Sequence, residues 1–159
     1  VTDPHSPDSA GGVAPARTTG LLALVGGGEW QTGADFDAEL LERSGAEEVL
    51  ILPTAAAYEN PDRAVETADR WFSSLGSGAR GLMVLRHAHA NDEANADAVR
   101  RARFIYLSGG SPLHLLSVLK GSLVFEALAG AWRDGAVVAG SSAGAMVLVD
   151  PMVDPRGGA

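Results

Sequence analysis

The chain has 159 residues, one ordinary domain's length, and 46% of them are apolar, which is enough to build a substantial core. A formal net charge of −8 argues against phosphate-backbone partners and anionic membranes, and no apolar run reaches the roughly 18 residues that a bilayer span needs. The lack of cysteine removes disulfides, thiol catalysis and cysteine metal sites, and fits a reducing, cytoplasmic setting.

Residues 1–19 are rich in Pro, Gly, Ser, Thr and Asp and have no apolar centre, so they read as a disordered leader before a domain over 20–159. The first strand is expected at Leu21–Val25, closed by Gly26, Gly27 and Gly28. Asp35 is placed to cap a helix through Leu41, with Gly45 just past its end. Val49–Leu52 reads as the second strand, stopped by Pro53. Asn60-Pro61 is a cap and first-turn pair, and Ala64, Ala68, Trp71, Phe72 and Leu75 share one face of the helix that follows. A third strand is expected at Leu82–Leu85, and a polar, alanine-rich helix over 91–103. Arg100, Arg101 and Arg103 at that helix's end read as a solvated terminus rather than a nucleic-acid patch. Phe104–Leu107 is the fourth strand, closed by Ser108-Gly109-Gly110, and Ser111-Pro112 opens a helix with Leu115, Leu116 and Leu119 inward. Phe125, Leu128 and Trp132 mark another helix before the fifth strand, Ala136–Ala139.

The strand segments are apolar at consecutive positions, as in strands covered on both faces. Their alternation with helices predicts an α/β three-layer sandwich with a mostly parallel sheet. In such sheets chemistry collects at the carboxyl ends of the strands, where the glycine-rich turns after strands one, four and five fall.

The strongest chemical signal is Gly140-Ser141-Ser142-Ala143-Gly144, a Gly-x-Ser-x-Gly turn between a buried strand and a helix. Small residues on either side of the central serine allow a turn tight enough to aim its hydroxyl out of the sheet. Ser142 is therefore the candidate nucleophile, and the Ala143 amide is placed to receive an oxyanion. Glycines at 109 and 110 let backbone amides converge on one point, which makes Gly110 the candidate second donor. Gly26-Gly27-Gly28 lacks the dinucleotide-binding spacing, since Gln31 stands where the third glycine belongs. Close backbone approach to a substrate is the better reading there. Gly27, Gly28, Gly109, Ser111 and Ser141 are the expected substrate-binding residues.

A serine nucleophile needs a base. His5 falls in the leader, His114 lies one turn into a helix that borders the site, and His87 and His89 follow the third strand. With Asp92 the last two make a weak metal motif, and solvated loop histidines are the better expectation. None of the four is a convincing base.

In order and spacing, Val25–Trp30, Tyr106–Pro112 and Gly140–Ala145 resemble the peptidase E and cyanophycinase family of serine peptidases, which share the class I glutamine amidotransferase-like fold. The resemblance implies Ser142 as nucleophile, Gly110 and Ala143 as oxyanion donors, and no metal or cofactor. It also implies a small peptide or amino-acid-derived substrate, cleaved at a peptide or isopeptide bond beside an acidic residue. Relatives of that fold with glutaminase chemistry use cysteine at the elbow, which this chain lacks. The family's histidine comes after the serine, and none follows Ser142 here; Asp150 and Asp154 cannot be matched to a triad acid. The expectation is an N-terminal fragment of a longer serine peptidase, with low activity by itself and a sheet edge suited to homodimer formation. The alternative is a non-catalytic module that holds a small molecule or anion on the same fold.

Overall fold

The structure, a computed structural model, describes residues 18–149. Most of the expected leader, with His5, and both late aspartates, Asp150 and Asp154, lie outside the described residues.

Five parallel strands form one sheet in the order β1-β5-β4-β2-β3. They are β1 (Leu22–Val25), β2 (Glu48–Leu52), β3 (Gly78–Gly81), β4 (Phe104–Leu107) and β5 (Val137–Ser141). Strand alternation divides the side chains between two cores. Val49, Ile51, Phe104, Tyr106, Val137 and Ala139 pack under α1 (Phe36–Ser44) and α2 (Pro61–Ser74). Leu50, Leu52, Ile105, Leu107 and Val138 pack on the opposite face. That face is covered by the short α3 (His87–Ala90), α4 (Glu93–Arg101), α5 (Pro112–Leu119), α6 (Leu123–Arg133) and α7 (Ala143–Val147). The result is the three-layer α/β sandwich that the alternating pattern predicts.

Local chemistry sets the helix boundaries. Gly45 takes a left-handed conformation at φ 59° and closes α1, a conformation that costs other residues more. Asn60 Oδ1 accepts the Arg63 amide at 3.0 Å and caps α2, with Pro61 at its first position. Ser111 and Ser122 cap α5 and α6 in the same way.

Four local expectations change. The third strand is Gly78–Gly81, not Leu82–Leu85. It is an edge strand paired only with β2, so it needs little apolar content, and the apolar run after it drops Val84 into the core. The helix expected over 91–103 runs only over Glu93–Arg101, starting after Asp92, whose side chain accepts the Ala94 amide. Asp35 stands before α1 but makes no capping bond. Finally, β1 is not covered on both faces among the described residues. Leu22 and Leu24 are 43% and 51% exposed, and among the described residues β1 pairs only with β5.

Candidate active site

The last residues of β5 run into a strained turn that opens α7. Ser142 sits at φ 48°, ψ −107°, one of only two non-glycine residues there with positive φ. Such a conformation costs roughly 1–3 kcal/mol and persists only where its surroundings impose it. Here they do. The Ser142 amide donates to Val25 O at 2.8 Å, and its carbonyl accepts from Met146 at 3.0 Å. A Cβ on Gly140 would stand 2.5 Å from the Gly144 carbonyl carbon, and one on Gly144 would stand 2.4 Å from Leu107 O. Both glycines of the Gly-x-Ser-x-Gly signature are thus demanded by close backbone approach. Ala143 begins α7, so its amide has no carbonyl of its own helix to bond.

Next to this elbow lies the turn after β4. Gly110 has φ 138°, and a Cβ there would stand 2.3 Å from Ala55 O. The Ser111 amide donates to the same Ala55 oxygen at 2.8 Å. The turn is therefore pressed against the short 3-10 segment Thr54–Ala56 that follows β2. Gly109 is close enough that a Cβ would lie 3.5 Å from Ser142 Cβ.

The turn after β1 completes the site. Gly27 and Gly28 both have positive φ, and Trp30, at φ 58°, is the other positive-φ non-glycine residue. Its indole is buried and packs on Tyr106 with ring centroids 5.2 Å apart. This places Glu29 between the other two turns. Its Oε1 accepts the Gly109 amide at 3.1 Å and its Oε2 accepts the Ser141 hydroxyl at 2.6 Å.

The three turns open on a cleft of about 600 Å³. Ser142, Gly109, Gly110, Gly27 and Gly28 all line it, so five of the eight residues expected at the site share one cavity. The others sit behind it. Ser141 is fully buried with its hydroxyl engaged by Glu29, which corrects the expectation that it touches substrate. The Ser111 hydroxyl accepts the His114 amide at the start of α5, and Ala143 is buried beneath the elbow.

No histidine lines this cleft among the described residues. His114 Nε2 bonds with Leu85 O at 3.0 Å, and its ring packs edge-on against Tyr58. His87 and His89 are not loop residues. They belong to α3, where His87 Nδ1 bonds with Val118 O and His89 Nδ1 with Met83 O. Among the described residues, no group of three or more His, Asp or Glu side chains is placed to hold a metal ion.

Sequence reasoning missed the charged lining. Glu29, Glu59 and Arg63 all face the cleft, with Asn60 and Thr67 beside them. Arg63 was findable: it lies in the first turn of a helix starting at the carboxyl end of β2. Glu29 was not findable in this way, because bonds to residues 80 and 112 positions away leave no local signal.

Below the cleft, Asp37 is fully buried and accepts the Trp71 indole N–H at 2.9 Å. Burial is the main cause that pushes its carboxyl from 3.8 to about 6; the Trp71 bond opposes this and the charge of Glu29 adds to it. The neighbouring Tyr106 hydroxyl is pushed upward, first by burial and then by Asp37 and Glu29.

No single helix among the described residues is long and apolar enough to cross a membrane.

Comparison with known proteins places this geometry. Two cyanophycinases, from Synechococcus elongatus and Thermosynechococcus vestitus, are each 26% identical over 141 residues. The match covers 87% of this chain but only 44% of either relative, so the chain spans less than half their length. The crystal structure of a peptidase from an acI-B1 Actinobacterium superposes with a TM-score of 0.77 at 33% identity. That match covers 84% of this chain and 58% of the other. The family model for peptidase family S51 matches residues 22–155, nearly the whole domain, and the chain belongs to that family.

Proposed function

We propose that this chain carries the nucleophile and the oxyanion site of a serine peptidase. The observation that carries the reading is Ser142, held at φ 48° between β5 and α7 and opening on the cleft beside Gly110. A buried, merely structural turn would have no reason to keep a strained serine facing an open cavity.

In this reading the Ser142 hydroxyl attacks the carbonyl carbon of a peptide or isopeptide bond. The developing oxyanion is received by the amides of Gly110 and Ala143, the latter at the positive end of α7. Collapse of the tetrahedral intermediate releases the amine and leaves an acyl-enzyme, which water then hydrolyses. Among the described residues, no histidine lines the cleft to accept the hydroxyl proton. Scission beside an acidic residue follows from the family resemblance, and Arg63 in the cleft wall supplies a cation suited to a carboxylate.

Hydrolysis of aspartyl dipeptides by the full-length protein from its host tests the reading. Turnover that disappears in Ser142→Ala, with unfolding behaviour unchanged, is the expected result. A Ser142→Ala protein as active as wild type would refute it. A protein that binds small anions in the cleft and cleaves nothing would favour the non-catalytic alternative.

A further inference from the structure

We propose that Glu29 is a positioning residue that locks the glycine turn after β4 and the serine elbow after β5 into one register. The inference rests on the peptidase reading above, because it takes those two turns as the reacting machinery.

The sheet alone does not fix that register. The ladder between β4 and β5 ends at the pair Leu107 and Gly140. Beyond it one segment turns into α5 and the other into α7. Ser142 and Gly110 both lie past this point. Glu29 supplies a connection from the turn after β1. One carboxylate oxygen holds the Gly109 amide and the other holds the Ser141 hydroxyl, so a single rigid group spans both turns. Each of these bonds joins a residue directly adjacent to one in the proposed chemistry, Gly110 in one case and Ser142 in the other.

The support behind Glu29 points the same way. Trp30 adopts φ 58°, unusual for a bulky residue, and buries its indole against Tyr106. That anchors the segment and aims the preceding side chain inward. Each oxygen of Glu29 accepts from a protein donor, and Ser141 is fully buried, so the carboxylate is held between the two turns. Misplacing a donor by an ångström is enough to lose much of its effect on a developing oxyanion.

The test uses the full-length protein and three variants. Glu29→Ala removes both bonds. Its kcat and its rate of labelling by a fluorophosphonate are expected to fall about 100-fold, with KM changed by less than about 3-fold. Glu29→Gln keeps an oxygen for the Gly109 amide and offers an N–H to Ser141 Oγ. It should recover all but about 5-fold of the loss. Wild-type kinetics in Glu29→Ala would overturn the proposal, and so would a Glu29→Gln protein as poor as the alanine variant. If Glu29→Ala does not fold, Ser141→Ala cuts one of the two bonds. Labelling slowed about 10-fold upholds the proposal and unchanged labelling overturns it. A wild-type protein that neither cleaves nor labels would instead refute the peptidase reading. The tie itself is then read from amide hydrogen exchange at Gly109. Exchange at least about 10-fold faster in Glu29→Ala upholds the tie, and equal rates overturn it.

Discussion

The two glycine-rich turns that border the nucleophile are built from the same residue for different physical reasons. In the turn after β4, a Cβ on Gly110 would be driven into the backbone of Ala55 at 2.3 Å. In the turn after β1, a Cβ on Gly26 or Gly27 would meet nothing within 4 Å. What restricts Gly27 and Gly28 is conformation, with φ at 145° and 69°. One turn is thus packed against its neighbour, and the other is bent in open space and held by a charged side chain. The contrast teaches that the β4 turn is backed by packing on Ala55 in addition to its bond with Glu29, whereas the β1 turn owes its place to Glu29 and to the buried ring of Trp30.

The largest break in that comparison should come at Gly110. Gly110→Ala adds a backbone clash to a left-handed φ, and is expected to lose about 3 kcal/mol or more of stability together with any activity. Urea unfolding measures the first and peptide turnover the second. A variant of near wild-type stability would show that the β4 turn is softer than the packing implies.

A smaller effect belongs to the charge under the β1 turn. The Asp37 carboxyl is raised to about 6 from an ordinary 3.8, so the folded protein holds this proton more tightly than the unfolded chain does. Its favourable contribution is complete below about pH 4 and is lost as pH rises through about 6. Asp37→Asn keeps an acceptor for the Trp71 indole and removes the buried charge. It should gain on the order of 2 kcal/mol over wild type at pH 7.5, and the gain should vanish near pH 4. Denaturant midpoints of the two proteins across that range give the difference directly. A constant difference would mean that Asp37 does not titrate there.

The smallest effects sharpen the contrast within the β1 turn itself. Gly27→Ala should cost about 1 kcal/mol through its φ alone. Gly26→Ala, with open space and no positive φ, should change stability by less than about 0.5 kcal/mol. Equal losses at both positions would remove the conformational account of this turn.

Much of this architecture is legible in the residues. Consecutive apolar runs locate β2, β4 and β5, because strands covered by helices on both faces leave little room for polar side chains, and a like run locates β1 although Leu22 and Leu24 stay exposed. The third strand is not legible: Gly78-Ala79-Arg80-Gly81 is held by pairing with β2 at the sheet's edge, and the apolar run after it is a better strand by composition alone. The elbow can be read from Gly140, Ser142 and Gly144, since close approach there permits only small residues. Glu29 is harder to see. Its importance comes from three chain segments converging in space, and no periodicity records that. Ser141 shows the opposite error: a serine next to the nucleophile looks available to substrate until its burial is known.

Labelling of the full-length protein with a fluorophosphonate, followed by mass mapping of the modified residue, tests the central claim most directly. The account predicts one adduct, on Ser142, that forms more slowly in Gly110→Ala. An unlabelled protein that is otherwise folded, or an adduct on any other serine, would contradict it.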